Sequence, residues 1–320
     1  MSHADGASGE TVAALGEFGL IRAVTENRRQ PETTLLGPGD DAAVIAAPDR
    51  RVVATTDVLV QGVHFRLDWS TPEQVGRKAV AANLADVAAM GAAPTSVLVG
   101  LACPADTPAE VITRLADGMW AEAERAGAGV SGGDMVRADQ LVVSVTALGD
   151  LAGCAPVTRS GARVGDVVAV HGRLGWAAAG LAVLGRGFRS PVNVVNAHRV
   201  PEPEYAAGPA AAQAGATAMI DVSDGLLADL GHIAEASKVG IDVRAGLLDV
   251  PRRLVEVGSA LGADPLRWVL TGGEDHALAA TFPPYVEVPD GWRKIGLVTE
   301  SGVTVNGEPY HEETGWEHWR

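Results

Sequence analysis

The sequence predicts an α/β protein with two domains, because strand-like and helix-like segments alternate in both halves of a long chain. Its 320 residues exceed the usual size of a single hydrophobic core. Apolar residues make up 47% of the chain and aromatic residues only 4%, so alanine, valine and leucine must form most of the core. The stretch 149–165 contains turn residues without a strong period, and it predicts a boundary between residues 1–150 and 151–320. One large α/β domain is the alternative at this length.

In the first half, helical spacing and strand composition define seven elements. Phe18, Ile21 and Val24 repeat at helical spacing, and Ser70-Thr71-Pro72-Glu73 combines a capping residue with an early proline. Runs rich in β-branched residues predict strands. The predicted helices are 17–26, one that opens at 70–73 and ends at 90, and 107–126; the predicted strands are 42–46, 51–60, 95–102 and 140–149.

The second half restarts the same alternation. A strand at 166–171 precedes an alanine-rich helix at 174–184, and a proline-containing connection follows. A short strand then ends at Asp221, and residues 225–237 have the pattern of a helix. Both halves are therefore predicted to contain α and β elements.

Six short acidic clusters lie between the apolar segments, at predicted turns. Each alone is ordinary, because aspartate and asparagine favour turns and helix caps. If the fold gathers them, their carboxylates repel one another unless hard cations neutralise them, and oxygen-ligated Mg²⁺ usually accompanies a phosphorylated ligand. The set therefore predicts a metal and phosphate site. The clusters are Gly39-Asp40-Asp41, Thr55-Thr56-Asp57, Asn83-Leu84-Ala85-Asp86, Gly132-Gly133-Asp134, Asp221-Val222-Ser223-Asp224-Gly225 and Gly272-Gly273-Glu274-Asp275.

Two of these clusters are the least ordinary. Thr55-Thr56-Asp57 places two hydroxyls and a carboxylate in a strand otherwise made of valine and alanine. Asp86 lies three residues after Asn83, on the same face of a helix rich in alanine, valine and methionine. Because an unpaired buried aspartate is costly, a cation is its natural partner.

Charge and cysteine content exclude several classes of function. A net charge of −15 argues against a nucleic-acid surface, which needs lysine and arginine facing the phosphates. Cys103 and Cys154 are far apart and form no CxxC, which disfavours a disulfide framework or a thiolate zinc site. Residues 1–10 lack the pattern of a signal peptide, and no apolar run approaches the length of a bilayer. We therefore expect a cytoplasmic protein without a membrane partner.

Two glycine-rich patterns do not predict a dinucleotide site. Residues 127–132 match GxGxxG, but they follow a predicted helix and precede a strand, the reverse of the required context. Residues 37–42 match GxGxxA, yet they place two aspartates where a pyrophosphate would meet backbone amides. No GxxxxGK[ST] occurs, so an ATP site must be of another kind than a Walker loop.

Four side chains outside the clusters have open roles. A structural role is favoured for His64, because no second histidine lies at zinc-site spacing from it. Arg159 suits an anion but also a solvated surface, and Lys78 is equally ambiguous. Trp316 suits either a packing anchor for the last residues or an aromatic face for a cationic ring.

The ordered motifs resemble those of the thiamine-monophosphate kinase family. The resemblance rests on the six acidic clusters together with three further segments, in order from about residue 17 to the closing Gly-aromatic-x-His-aromatic. Thr55-Thr56-Asp57 followed by Gly62-Val63-His64-Phe65, with the Gly-Gly-Glu-Asp segment, favours this family over its wider relatives. These relatives include aminoimidazole ribonucleotide synthetase, selenophosphate synthetase and a hydrogenase maturation factor. The further segments are Gly62-Val63-His64-Phe65, Lys78-Ala79 and Ala89-Met90-Gly91-Ala92.

The resemblance implies an aminoimidazole ribonucleotide synthetase-like fold with two mixed α/β domains. It further implies a homodimer in which the N-terminal sheets join into a barrel, with ATP as co-substrate and several Mg²⁺ ions. The N-terminal domain would bind ATP and Mg²⁺ and form the dimer, and the C-terminal domain would complete the active site.

The resemblance also assigns roles to individual residues. Three positions depart from the family pattern: Ala85 for serine, Met135 for threonine and His276 for tyrosine. Asp40 has no assigned role. The implied metal ligands are Asp41, Thr55, Thr56, Asp57, Asp86, Asp134, Asp221 and Asp224; the implied nucleotide contacts are Gly133, Asp134, Arg159 and Ser223; the implied substrate contacts are His64, Glu274 and Trp316; and the implied catalytic acids are Asp57, Asp86 and Asp134.

The implied reaction is direct transfer of the γ-phosphoryl group of ATP to thiamine monophosphate, the last step in forming thiamine diphosphate. A phosphate monoester has a second pKa of about 6, so it needs no catalytic base at neutral pH. Two alternatives remain open: another ATP-dependent reaction of the wider relatives, and a noncatalytic sensor of nucleotide or divalent metal.

Overall fold

Helices and strands alternate along the described chain, which confirms the predicted α/β class. The computed structural model describes residues 10–39, 42–312 and 314–315, and for Glu17 and Phe18 it describes the backbone alone. The α-helices of this part are α1 (Val12–Leu15), α2 (Glu17–Thr25), α3 (Pro72–Ala89), α4 (Ala109–Arg125), α5 (Trp176–Gly185), α6 (Val192–Arg199), α7 (Ala207–Gln213), α8 (Leu226–Ser237), α9 (Arg252–Leu261) and α10 (Pro265–Thr271). The strands are β1 (Thr34–Leu36), β2 (Val44–Ile45), β3 (Val53–Val60), β4 (Ala93–Cys103), β5 (Gly129–Arg137), β6 (Val142–Asp150), β7 (Val167–His171), β8 (Ala218–Val222), β9 (Gly240–Val243), β10 (Ala277–Phe282), β11 (Arg293–Thr299), β12 (Val303–Val305) and β13 (Glu308–Pro309).

The helices and strands predicted from the sequence are present, and their ends lie within about two residues of the predicted ends. The sequence placed Thr55-Thr56-Asp57 in a strand and Asp86 on a helix, which the structure confirms, whereas the turn predicted at Gly132-Gly133-Asp134 is wrong. Thr55-Thr56-Asp57 lies within β3, Asp86 within α3, and Gly132-Gly133-Asp134 within β5. A Cβ on Gly133 would lie 2.0 Å from the carbonyl oxygen of Val99, so only glycine allows the neighbouring strand to approach this closely.

The chain forms two compact units that are not continuous in sequence. Unit 1 contains Met1–Ala46, Thr56–Val80 and Thr95–Thr146, and unit 2 contains Ala47–Thr55, Ala81–Pro94 and Ala147–Arg320. One change of unit falls at residue 146, near the predicted boundary at 150, but two segments of the first half belong to unit 2. The predicted domain limits stay a prediction.

Unit 1 contains most of a four-stranded sheet with the order β3-β6-β4-β5. Strands β4 and β5 run parallel, and their register places Gly100 opposite Asp134. In β6 buried and half-buried residues alternate, as expected for a strand with two different faces. Helix α4 contacts both β5 and α2 and buries one apolar side against them.

Helices α3 and α4 approach each other closely at two glycines of unit 1. A Cβ on Gly76 would lie 2.0 Å from the carbonyl oxygen of Leu115, and a Cβ on Gly118 would lie 2.0 Å from that of Glu73. Only glycine permits this backbone contact. The approach places the first turns of α3 against helix α4 of unit 1.

No helix among the described residues is long and apolar enough to span a bilayer.

Unit 2 is built on a seven-stranded sheet with the order β13-β12-β9-β11-β7-β10-β8. Strand β10 pairs antiparallel with β7 and with β8, whereas β12 pairs parallel with β9. Every residue of β8 and β10 is buried, which explains their apolar sequences. Helix α8 contacts β8 and β9, and α5 contacts α6, α9 and α10. The register of β8 and β10 brings the end of one beside the start of the other, and there the acidic loops lie.

Candidate active site

Two loops of unit 2 meet where β8 ends and β10 begins. Val222, the last residue of β8, pairs with Ala277, the first residue of β10. The backbone N–H of Glu274 donates to the carbonyl oxygen of Ser223 at 2.7 Å, and that of His276 donates to Val222 at 3.0 Å. The clusters 221–225 and 272–275, which are distant in sequence, therefore lie side by side.

Close packing of these loops depends on a glycine in each. A Cβ on Gly273 would lie 2.2 Å from the carbonyl oxygen of Ser223, and a Cβ on Gly225 would lie 2.5 Å from that of Thr271. Gly225 also has φ +136°, a conformation that side chains disfavour. The glycines of these two acidic motifs therefore allow the two backbones to pack closely, and this brings the acidic residues of the two loops near one another.

Asp221 lies at the end of β8 and is held by His276. Its Oδ2 is 3.0 Å from Nδ1 of His276, and both residues are buried. Burial opposes protonation of His276, but the hydrogen bond and charge of Asp221, with the charges of Glu274 and Asp86, raise its pKa above 6.5. The acidic groups of the same unit therefore favour the protonated imidazole.

Asp86 takes part in this acidic environment from helix α3. Its Oδ2 accepts a hydrogen bond from Oγ1 of Thr55 at 2.8 Å. Its charge also contributes to the raised pKa of His276. Thr55 and Asp86, predicted from separate motifs to be metal ligands, are thus in direct contact within unit 2.

Asp229, on the first turn of α8, fixes the turn that carries Asp224. Its buried Oδ2 accepts hydrogen bonds from the backbone N–H groups of Asp224 at 3.1 Å and Gly225 at 3.0 Å. Burial, together with the charges of Asp221 and Asp224, raises its pKa to about 7. The charges of Asp221 and Asp224 therefore disfavour the ionised form of Asp229.

A group able to hold a metal lies at this turn. One ligand atom each from Asp224, Asp229 and His232 can be chosen so that all lie within 4.8 Å of one another. Its two carboxylates are hard oxygen ligands of the kind that Mg²⁺ takes together with several waters, whereas the imidazole of His232 is a ligand more typical of transition metals. The raised pKa of Asp229 points the same way, because a cation would relieve the repulsion that raises it. The carboxylates of Asp224 and Asp229 therefore fit the predicted Mg²⁺.

Glu274 and Asp275 are neighbours in sequence but have different surroundings. The side chain of Glu274 is 37% exposed, and its Oε2 lies 3.3 Å from Nδ1 of His198 on α6. Asp275 is buried, and its Oδ1 accepts a hydrogen bond from the backbone N–H of Ala177 at 2.9 Å. Burial raises the pKa of Asp275 to about 7. Glu274 is therefore accessible to a ligand, whereas Asp275 is directed to helix α5.

In unit 1, His64 holds a turn. Its Nδ1 accepts a hydrogen bond from the backbone N–H of Val60 at 3.0 Å, and the Nζ of Lys78 donates to its carbonyl oxygen at 3.2 Å. Lys78 is buried. This agrees with the structural reading of His64 from the sequence, and its substrate role stays a prediction.

The remaining predicted ligands of unit 1 lie in strands. Thr56 donates to the carbonyl oxygen of Val145 at 3.0 Å. Asp57 follows it on β3 and is half-buried. Asp134 accepts a hydrogen bond from the backbone N–H of Met135 at 2.8 Å, in the exposed part of β5. The metal and nucleotide roles predicted for these residues stay predictions.

Some predicted site residues are not assembled with the others by the described contacts. Arg159 is exposed, and its carbonyl oxygen accepts a hydrogen bond from Oγ of Ser237 at 3.0 Å. Asp41 and Trp316, together with Asp40, lie outside the described residues.

The sequence analysis missed three residues at the unit 2 site: Asp229, His232 and His198. For Asp229 a signal was present, since an acid in the first helical turn after Ser223-Asp224-Gly225 suits the helix start. His232 follows Asp229 by three residues and shares its face of α8. His198 comes from the proline-containing connection, and no local pattern related it to Glu274.

Comparisons with known proteins define the class of this chain. The family model described as AIR synthase related protein, N-terminal domain, matches residues 39–151, and that of the C-terminal domain matches residues 163–280. The chain is thus an AIR synthase related protein with both domains. The thiamine-monophosphate kinase of Mycobacterium tuberculosis is 56% identical over 310 residues, which cover 96% of this chain and 92% of that protein. The chain belongs to the thiamine-monophosphate kinase family, as its motifs predicted.

Solved structures agree with this membership. The thiamine monophosphate kinase of Aquifex aeolicus matches with a TM-score of 0.77 and 32% identity, over 93% of this chain and 98% of that one. The complex of AaThiL with AMPPCP and TMP matches with a TM-score of 0.78 and 33% identity, over 95% of this chain and 97% of that one. The predicted fold family is confirmed.

Proposed function

We propose that this chain transfers the γ-phosphoryl group of ATP to thiamine monophosphate, forming thiamine diphosphate and ADP. The observation that carries the proposal is 56% identity to a thiamine-monophosphate kinase over 96% of the chain. The related AaThiL was solved with AMPPCP and TMP. ATP and thiamine monophosphate are accordingly the proposed substrates, and nucleic acid and membranes are not proposed as partners.

The acceptor in this reaction needs no general base. Its phosphate has a second pKa of about 6, so it is mostly a dianion at neutral pH and already nucleophilic. The obstacle is the approach of two anions, which positioning and charge neutralisation overcome. A direct, in-line transfer without a phosphorylated enzyme follows from this chemistry.

The acidic residues of unit 2 are proposed to hold Mg²⁺. Asp86, Asp221 and Asp224 supply carboxylates, and Thr55 contacts Asp86 directly. When bound, Mg²⁺ neutralises phosphate charge and aligns the phosphates for transfer. Before binding, the protein keeps these acids close by means of the His276 contact and the amide hydrogen bonds of Asp229. Asp57 and Asp134 keep their predicted roles as ligands.

Glu274 is proposed to recognise the cationic thiazolium ring of the substrate. Its side chain is partly exposed, and its backbone is fixed by the hydrogen bond to Ser223. A partly desolvated carboxylate beside a ring cation contributes to affinity through charge complementarity. The buried His198 lies beside this carboxylate, with its Nδ1 3.3 Å from Oε2 of Glu274.

A homodimer is also part of the proposal. The outer strands of the four-stranded sheet, β3 and β5, each expose an apolar side chain, with Val58 49% and Val136 55% exposed. Paired copies would cover these strands and remove open sheet edges. A cytoplasmic location is proposed on the free thiols of Cys103 and Cys154.

The direct test is an assay of the purified protein with ATP, Mg²⁺ and thiamine monophosphate, followed for thiamine diphosphate. We expect product only when all three are present, and no product with EDTA. Absence of thiamine diphosphate under these conditions would contradict the proposed function. ATP binding in calorimetry without release of ADP would instead indicate a nucleotide sensor.

A further inference from the structure

One buried carboxylate of unit 2 lies beside the candidate site without facing it. Asp275 stands between Glu274, which contacts His198, and His276, which contacts Asp221. Its own Oδ1 accepts the backbone N–H of Ala177 instead. Three successive residues therefore make three separate attachments, and the middle one ties the loop to helix α5.

The backbone of this loop needs such an attachment. Glu274 has φ +65° and His276 has φ +52°, in the left-handed region that residues other than glycine rarely adopt. Each such conformation costs on the order of 1–3 kcal/mol and persists only where surrounding contacts hold it. The loop does not adopt this shape by its own preference, so its hydrogen bonds must impose it.

Helix α5 offers a site that a carboxylate suits. It has ten residues, and its N-cap, Gly175, has no side chain to satisfy the first amides. Asp275 takes this role from almost a hundred residues away, through Oδ1 and the N–H of Ala177. Its Oδ2 has no hydrogen-bond partner among the described residues. Burying a carboxylate with one unpaired oxygen costs free energy, so we expect its remaining hydrogen bond to have a structural role.

We propose that Asp275 is a positioning residue whose hydrogen bond to Ala177 fixes the segment 272–276, so that Glu274 faces the substrate and His276 faces Asp221. The substrate part of this inference rests on the proposed function. The structural part does not, because the hydrogen bond lies within the chain, between Asp275 and Ala177. Its Oδ1 accepts the hydrogen bond from Ala177, so its role is exerted through the backbone of 272–276.

The test compares Asp275→Leu, which keeps most of the volume but loses the acceptor, with Asp275→Asn, which keeps an acceptor oxygen. Asp242→Leu is the matched control, because Asp242 is also buried in unit 2 and accepts a backbone N–H, from Gly307 at 2.6 Å. Amide hydrogen exchange of the ligand-free proteins and the KM for each substrate are measured, with thermal unfolding to set a temperature at which all are folded.

We expect Asp275→Leu to speed exchange at Ala177 and across 273–277 at least tenfold and to raise the KM for thiamine monophosphate at least tenfold. Asp275→Asn should stay within threefold of wild type, and Asp242→Leu should change neither quantity. Equal defects in the two Asp275 variants, unchanged exchange in Asp275→Leu, or faster exchange with an unchanged KM would each overturn the proposal. If the wild type forms no product, the proposed function fails, and the exchange comparison still decides the positioning role.

Discussion

Nδ1 of His276 lies 3.0 Å from Oδ2 of Asp221, and less than a tenth of either residue is exposed. The contact joins the segment before β10 to the end of β8, and it places beside a buried acid an imidazole whose pKa is raised above 6.5. The family resemblance led us to expect tyrosine at position 276. This chain therefore holds its predicted metal ligand with an imidazole.

Replacing His276 with leucine should destabilise the metal-free protein. Asp221 would stay buried without its charged partner, and breaking such a pair typically costs about 3 kcal/mol or more. Urea unfolding in EDTA at pH 6 measures the loss. His276→Gln keeps a hydrogen-bond donor and should lose less. A leucine variant as stable as the wild type would refute the assigned importance of this contact.

The stability of the metal-free protein should fall as the pH rises from about 4 through 7. Burial raises the pKa of Asp275 from 3.8 to about 7, which sets this window, and acidic neighbours raise the pKa of His276 above 6.5, which adds to the fall only above about pH 6.5. The folded chain therefore keeps protons that the unfolded chain releases, and the free energy of unfolding decreases across this range.

Asp275→Asn should flatten this dependence. One pKa unit corresponds to about 1.4 kcal/mol, so Asp275 accounts for up to about 4 kcal/mol between pH 4 and pH 7. Asp229 contributes a slope of the same sign, which the variant retains. Urea unfolding in EDTA at several pH values gives both curves. Parallel curves for the two proteins would show that Asp275 does not titrate as its burial implies.

Much of the fold was readable in the sequence because periodicity and turn residues act locally. The helix predicted to open at 70–73 and to end at 90 is α3 (Pro72–Ala89), and the strand predicted to end at Asp221 is β8, which ends one residue later. The sequence could not show that 47–55 and 81–94 belong to unit 2, because that division depends on tertiary contacts. It also misplaced Gly132-Gly133-Asp134, since strand packing at Gly133 overrides the turn preference of its residues.

The sequence predicted the acidic residues of the candidate site but not the residues that hold them in place. Asp221, Asp224 and Glu274 were predicted because they belong to short acidic motifs that can be recognised in the sequence alone. Their contacts with His276, Asp229 and His198 depend on long-range packing, and histidines without a spacing pattern give no signal. The motif residue Asp275 shows the limit most clearly, because it belongs to an acidic cluster of the sequence but is buried against helix α5 in the structure.

Replacing Asp86 with asparagine should nearly abolish phosphoryl transfer while leaving the fold intact. The amide keeps an oxygen for the hydrogen bond from Thr55 but removes the charge proposed for Mg²⁺ binding. Loss of one electrostatic element of this kind typically lowers kcat by about 100-fold or more. Asp57→Asn should behave similarly. Turnover close to wild type in both variants would remove the assigned metal site.

Replacing Glu274 with glutamine should weaken binding of thiamine monophosphate and leave ATP unaffected. Loss of about 1–2 kcal/mol of charge attraction corresponds to a 5- to 30-fold rise in KM. Steady-state kinetics with each substrate varied in turn separates the two effects. Glu235→Gln on the exposed side of α8 is the matched control and should change neither KM. An equal rise in both KM values would indicate a general disturbance of the loop.

Replacing Gly273 with alanine should separate the two loops that form the unit 2 site. The new Cβ would lie 2.2 Å from the carbonyl oxygen of Ser223, and the backbone on either side cannot yield without breaking the Glu274–Ser223 hydrogen bond. Overpacking of this kind costs about 1–3 kcal/mol, and it should appear in urea unfolding.

The same variant should raise the KM for ATP, because Ser223 is a predicted nucleotide contact on the displaced backbone. Gly231→Ala is the matched control: a Cβ there meets nothing within 4 Å, and alanine in helix α8 should stabilise the protein by about 0.5–1 kcal/mol. If Gly273→Ala unfolds at the same urea concentration as the wild type, the loops have another way to accommodate a side chain. In that case the close approach at Ser223 does not hold the site together.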